Sequence, residues 1–277
     1  MFLAIFKTTV KNLFRSATFW LLLAVLAISI IHSALEGFYI MDDSPEFVLG
    51  VKDYIESCEN FCGAKMLNYA IPLFCIFSVV LILLRDYNDV FFEIEKAYNL
   101  KPFNYLLGRL SALAMVNLLI TFFMNILGIY IYVITRGGVY NMSIFEYIGD
   151  SIIRILRLNL CISLPCILMY IGITYCVGCI FKNGIPAAII STTYVIFWYC
   201  FRLMFSWRAN PVFFDYLSPT PLKLRNYFHF YDSEWEDFLL VMFDIKLTDV
   251  ALCIGLLVGT SLLFSLAAYF RIRKRTV

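Results

Sequence analysis

The sequence predicts an all-α integral membrane protein with six transmembrane helices. Three observations carry that class. The chain is 62% hydrophobic and only 15% charged over 277 residues, whereas a soluble domain runs nearer half apolar and a quarter charged. Its apolar residues gather into separate runs long enough to cross a bilayer as helices. Its basic residues collect beside alternate ends of those runs, as they do on the cytoplasmic side of membrane proteins. The chain reads as one transmembrane domain over residues 1–277, and a net charge of +2 implies no nucleic-acid partner.

Residues 1–16 hold a basic amphipathic helix. Phe2, Ile5, Phe6, Leu13 and Phe14 share one face, and Lys7, Lys11 and Arg15 recur every four residues on another. Such a helix lies in the headgroup plane with its cations toward anionic lipid. The alternative is an ordinary positive flank for the next span; both readings put the N-terminus in the cytoplasm. Residues 17–35 are the first span, too long for a signal-peptide core and without a small-x-small site before Glu36.

Residues 36–65 form an acidic loop containing Cys58 and Cys62. On an outer surface these two could form a disulfide; two unlinked thiols four residues apart is the equal alternative. The second span, 66–84, has Pro72 near its start. The third, 110–134, carries Asn117 and Asn125, eight residues apart and so roughly on one face. Polar residues at this depth usually face other helices. Helix packing is therefore the first reading of both, and contact with a transported molecule is the second.

Residues 135–158 read as a connector with a helix on the outer surface. Burying Arg154 and Arg157 at mid-membrane would cost roughly 2.5–3.5 kcal/mol each. The fourth span is 159–180. Its Cys176-Val-Gly-Cys179 has redox-pair spacing but lacks a strand–helix context, so packed thiols are expected. Lys182-Asn-Gly184 is a short turn into the fifth span, 185–201. Residues 202–249 form an aromatic outer loop with Trp207 and Trp235, and His229 sits in an aromatic belt there. The sixth span, 250–270, ends in the basic stop Arg271–Arg275.

The segment 85–109, between the second and third spans, is the longest charged and helix-patterned stretch between two apolar runs. Asp89 can cap a short helix. Val90, Phe91, Ile94, Ala97 and Tyr98 then recur at spacings of three and four, with Glu93 and Lys96 on the other side. Asn99 and Pro102 are stop signals. With six spans both termini share a side. That side would hold Lys7, Lys11, Arg15, Arg85, Lys96, Lys101, Arg109, Lys182, Arg271, Arg273, Lys274 and Arg275, against only Asp86, Asp89, Glu93 and Glu95. The positive-inside rule then makes the chain a multi-pass cell-membrane protein with both termini and this segment cytoplasmic. A plain connector has no need of the adjacent Phe91 and Phe92, which suit a protein partner better.

Catalytic and nucleotide motifs are absent. No Gly-x-x-x-x-Gly-Lys-[Ser/Thr], His-Glu-x-x-His or Gly-x-Ser-x-Gly occurs, so no P-loop, zincin or hydrolase signature is present. No metal site and no bound cofactor are expected, and the chain is not expected to be an enzyme.

Over its whole length the chain resembles the ABC-2 type transporter permeases of bacterial ABC exporters. The resemblance rests on the N-terminal helix Phe2–Ser16, the six spans, the cytoplasmic helix between spans two and three, the aromatic outer segment and the basic tail. Glu95, Pro102 and Arg109 fall where that family often has an acid, a proline and a basic residue; Ala97-Tyr98 departs from its common Gly-Thr-like pair. The resemblance implies a pathway formed with a second permease copy or a sister permease, and export of a peptide, drug or lipid-like substrate. ATP and Mg would be held by separate ABC ATPase subunits. Residues Asp89–Tyr98 would be the coupling helix on that ATPase, with Phe91, Phe92 and Ile94 as anchors and Asp89, Glu93, Glu95 and Lys96 capping it and fixing register. The alternatives are a membrane enzyme such as a lipid or acyl transferase, and a non-catalytic immunity or assembly protein.

Overall fold

The computed structural model describes residues 2–41, 71–88, 101–140, 156, 159–205 and 247–276. Among them the chain is all-helical. The helices are α1 (Phe2–Arg15), α2 (Ala17–Met41), α3 (Ile71–Asn88), α4 (Pro102–Tyr140), α5 (Leu164–Phe181), α6 (Gly184–Phe205) and α7 (Leu247–Thr276), and a π-helical turn, Asn159–Ser163, leads into α5. Among the described residues three stretches are long and apolar enough to cross a membrane: Pro102–Gly128, Asn159–Phe181 and Leu247–Lys274. A fourth is formed if α1 and the first half of α2, which meet at 70°, are taken together.

α5 is the central helix, and most of its residues are buried. α3, α4, α6 and α7 all pack on it. Small residues set the spacing. A side chain at Gly172 would meet the Ser261 carbonyl at 3.1 Å, and one at Gly178 would overlap Leu83. One at Gly184 would come within 2.8 Å of Leu84 Cγ. α5 and α6 therefore turn back tightly against the end of α3. Lys182 makes that turn in a left-handed conformation (φ 56°), and Asn183 Oδ1 accepts from the Ile185 N–H to cap α6.

Single hydroxyls tie the helices where an unpaired polar group would be costly. Thr174 Oγ1 donates to Ser191 Oγ at 3.0 Å, joining α5 to α6. Ser261 Oγ donates to the Leu168 carbonyl at 2.8 Å, joining α7 to α5. Cys176 and Cys179 are both buried.

The corner between α1 and α2 is made at Ser16. Its N–H donates to the Leu13 carbonyl, and its own carbonyl accepts from Phe19 and Trp20. Trp20 Nε1 donates to the Phe14 carbonyl at 2.8 Å, occupying an acceptor that the end of α1 leaves open. The Phe19 ring packs edge-to-face with Phe14 at 5.4 Å and tilted against Phe74 at 5.6 Å through this corner.

α4 begins at Pro102, eight residues before the span expected from sequence. Proline suits the first helical position because its missing N–H would go unbonded there, and the Lys101 carbonyl accepts the Tyr105 N–H. The stretch 85–109 is accordingly not one connector. Arg85–Asn88 belong to α3 and Pro102–Arg109 to α4.

Candidate functional site

The described residues bring one charged pair into the interior, at the end of the bundle where α1, α3 and α4 meet. Asp86 lies in the last turn of α3, and Arg109 lies two turns into α4. Arg109 Nη2 donates to Asp86 Oδ1 at 2.6 Å, with the two side chains 1% and 2% exposed. Arg109 Nη1 donates to Thr9 Oγ1 of α1 at 2.9 Å. Tyr105 donates its hydroxyl to the other carboxylate oxygen, Oδ2, at 2.7 Å. Its ring lies 5.3 Å from the guanidinium carbon, within cation–π range. Both carboxylate oxygens are thus bonded, as a buried charge requires.

Local sequence puts each group in place. Tyr105 and Arg109 are four residues apart on α4 and so share a face. Ile5, Thr9 and Leu13, also spaced by four, are the buried face of α1. Thr9 donates its hydroxyl hydrogen to the Ile5 carbonyl at 2.8 Å, which leaves oxygen lone pairs turned toward Arg109. α1 can lie this close because residue 108 is glycine: a side chain there would meet Ile5 Cβ at 3.0 Å and the Phe2 carbonyl at 3.3 Å. Tyr175 of α5 is near enough to Tyr105, Asp86 and Arg109 to interact electrostatically. Its hydroxyl is buried with no hydrogen-bond partner among the described residues.

The arrangement contains no nucleophile–base pair. Among the described residues no group of three or more His, Cys, Asp or Glu is placed to hold a metal ion. What the arrangement does is mechanical. It fixes the end of α3 to the start of α4, across the base of the segment that joins them, and it fixes both to α1.

The polar stripe continues up α4. Asn117, eight residues beyond Arg109, donates from Nδ2 to Ser78 Oγ of α3 at 3.0 Å and to the Leu113 carbonyl at 2.8 Å. Thr121 is buried one turn further, and Asn125 is half-buried on the same face. The other site residues expected from sequence lie outside the described residues. These are Asp89, Phe91, Phe92, Glu93, Ile94, Glu95 and Lys96, together with Cys58 and Cys62. Sequence reasoning missed Thr9, Asp86, Tyr105 and Tyr175. The available signal was an arginine one turn after a tyrosine, facing an aspartate at the end of the preceding apolar run.

Neither a protein-family model nor a curated protein matches this chain.

Proposed function

We propose that this chain is the membrane-spanning permease subunit of an ABC-2 type exporter. In this reading it moves a peptide, drug or lipid-like substrate with energy from separate ATPase subunits that bind ATP and Mg. It crosses the cell membrane six times with both termini in the cytoplasm, and it pairs with a second copy or a sister permease. α1 lies at the cytoplasmic interface.

The observation that supports the reading is the Asp86–Arg109 pair with Tyr105 and Thr9. A buried ion pair is poor at adding net stability, because desolvation offsets most of its attraction, but it is good at fixing register. Here the register it fixes is that of the two helices flanking residues 89–100. A segment held firmly at its base passes force into α3 and α4 when another polypeptide pushes on it. Asp89–Tyr98 is that segment, with Phe91, Phe92 and Ile94 as apolar anchors in the ATPase and Asp89, Glu93, Glu95 and Lys96 capping the helix and setting its orientation.

The test is co-purification. The full-length chain, expressed with its neighbouring genes, should carry a P-loop ATPase through affinity purification. A Phe91→Asp, Ile94→Asp double substitution should lose that ATPase while the permease still elutes as a folded species. An ATPase that stays bound to the double variant would reject this segment as the docking element. A native preparation with no ATPase would reject the exporter reading itself.

A further inference from the structure

We propose that the outward face of α1, formed by Lys7, Lys11 and Arg15, binds the headgroups of anionic phospholipids, and that this binding holds Thr9 against Arg109. The proposal rests on the membrane topology proposed above and not on the exporter activity.

The geometry of α1 divides it into three faces. Ile5, Thr9 and Leu13 are buried against the bundle. Lys7, Lys11 and Arg15 are exposed on the opposite side. Leu3 and Phe14, 58% and 42% exposed, lie along one edge between them. With α2 crossing the membrane, as proposed above, the 70° corner between the two helices lays α1 close to the plane of the bilayer. In that plane the apolar edge meets the acyl boundary and the cations reach the headgroups.

Charge selects the occupant. The contacts of α1 with Gly108, and of the α5–α6 turn with Leu83 and Leu84, place Lys7, Lys11, Arg15, Arg85, Lys101 and Lys182 at one end of the bundle. The Phe103–Tyr269 ring contact at 6.4 Å brings the basic end of α7 to the same level. Among the described residues the acid at this end is Asp86, and it is buried; Asp89, Glu93 and Glu95 of the adjoining segment lie outside the described residues. This surface is complementary to an anionic leaflet, where each cation near the surface favours binding by about fivefold.

The buried side of the same helix carries the consequence. Thr9 accepts from Arg109 Nη1 at 2.9 Å, and the lack of a side chain at Gly108 lets α1 lie this close. Lipid that draws α1 into the headgroup plane therefore favours the closed Asp86–Arg109 arrangement.

The experiment compares full-length protein in nanodiscs of phosphatidylcholine with nanodiscs that also contain phosphatidylglycerol. Wild-type protein should retain phosphatidylglycerol over phosphatidylcholine after extraction and should melt at a higher temperature when it is present. A Lys7→Gln, Lys11→Gln, Arg15→Gln variant should lose that preference, by about fivefold per cation. Thr9→Val should keep the lipid preference but lose most of the melting gain. Equal retention of the two lipids by wild type, or undiminished preference in the triple variant, would overturn the binding face. A full melting gain in Thr9→Val would overturn the link to Arg109.

Discussion

Asp86 and Arg109, 23 residues apart in the sequence, are joined by a 2.6 Å ion pair from which solvent is excluded. Breaking a buried pair from one side is costly because the remaining charge stays buried. Arg109→Met should therefore destabilise the protein by about 3–5 kcal/mol, and Asp86→Leu by a similar amount. The double variant should recover most of that loss. Thermal unfolding in detergent measures all three. A double variant as unstable as the sum of the singles would mean that the two residues are not energetically coupled.

Two buried tyrosines near this pair should respond in opposite ways. Tyr105 donates to the Asp86 carboxylate, and hydrogen bonds to a charged group contribute about 1.5–3 kcal/mol. Tyr105→Phe should cost that much. Tyr175 has a buried hydroxyl with no partner among the described residues, so Tyr175→Phe removes a desolvated polar group at no loss of bonding. It should be neutral or slightly stabilising. The same melting assay distinguishes the two, and a loss in Tyr175→Phe as large as in Tyr105→Phe would contradict the assignment.

The seating of α1 rests on Gly108 and Thr9. Gly108→Val places a side chain against Ile5 and the Phe2 carbonyl, so the helix must lift. Amide exchange across residues 2–15 should become markedly faster in that variant, with α5 unchanged. Exchange as slow as in wild type would mean that α1 is held elsewhere.

Lys182 occupies a left-handed conformation at the end of α5, which costs a residue with a side chain roughly 1–2 kcal/mol. Glycine avoids that strain but has more backbone freedom to lose, about 0.5–1 kcal/mol. Lys182→Gly should therefore stabilise the protein by about 0.5–1 kcal/mol, read as a small rise in melting temperature. A fall would show that the lysine side chain itself holds the turn.

Much of the helical layout was legible in the sequence. The apolar runs over 110–134, 185–201 and 250–270 each lie within a helix, and 159–180 runs through the π-helical turn into α5. The start of α4 was not. The span was expected to begin at Leu110, after the charged stretch, but Arg109 lies inside the helix because it is paired, and its partner comes from a different helix. Local pattern cannot see a partner 23 residues away. The face of α1 that packs on the bundle was not legible for a related reason. Hydrophobic periodicity groups Phe2, Ile5, Phe6, Leu13 and Phe14, whereas the residues buried against the bundle are Ile5, Thr9 and Leu13. The Thr9 hydroxyl is satisfied by Ile5 and Arg109, and periodicity scores a threonine as polar whether or not its bonds are made inside. Asn117 was legible as a packing residue, because an amide at that depth needs a partner, and Ser78 of α3 supplies one.

The central claim is that the segment carrying Lys96 faces the cytosol, where an ATPase can reach it. Its most direct test is the accessibility of a cysteine introduced there. A Lys96→Cys variant of the full-length chain, with Cys58 and Cys62 replaced by serine to silence the outer loop, would be treated with a membrane-impermeant maleimide. The account predicts no labelling of the introduced thiol in intact cells and strong labelling once the membrane is opened. Labelling in intact cells at the level of an outer-loop control cysteine would contradict it.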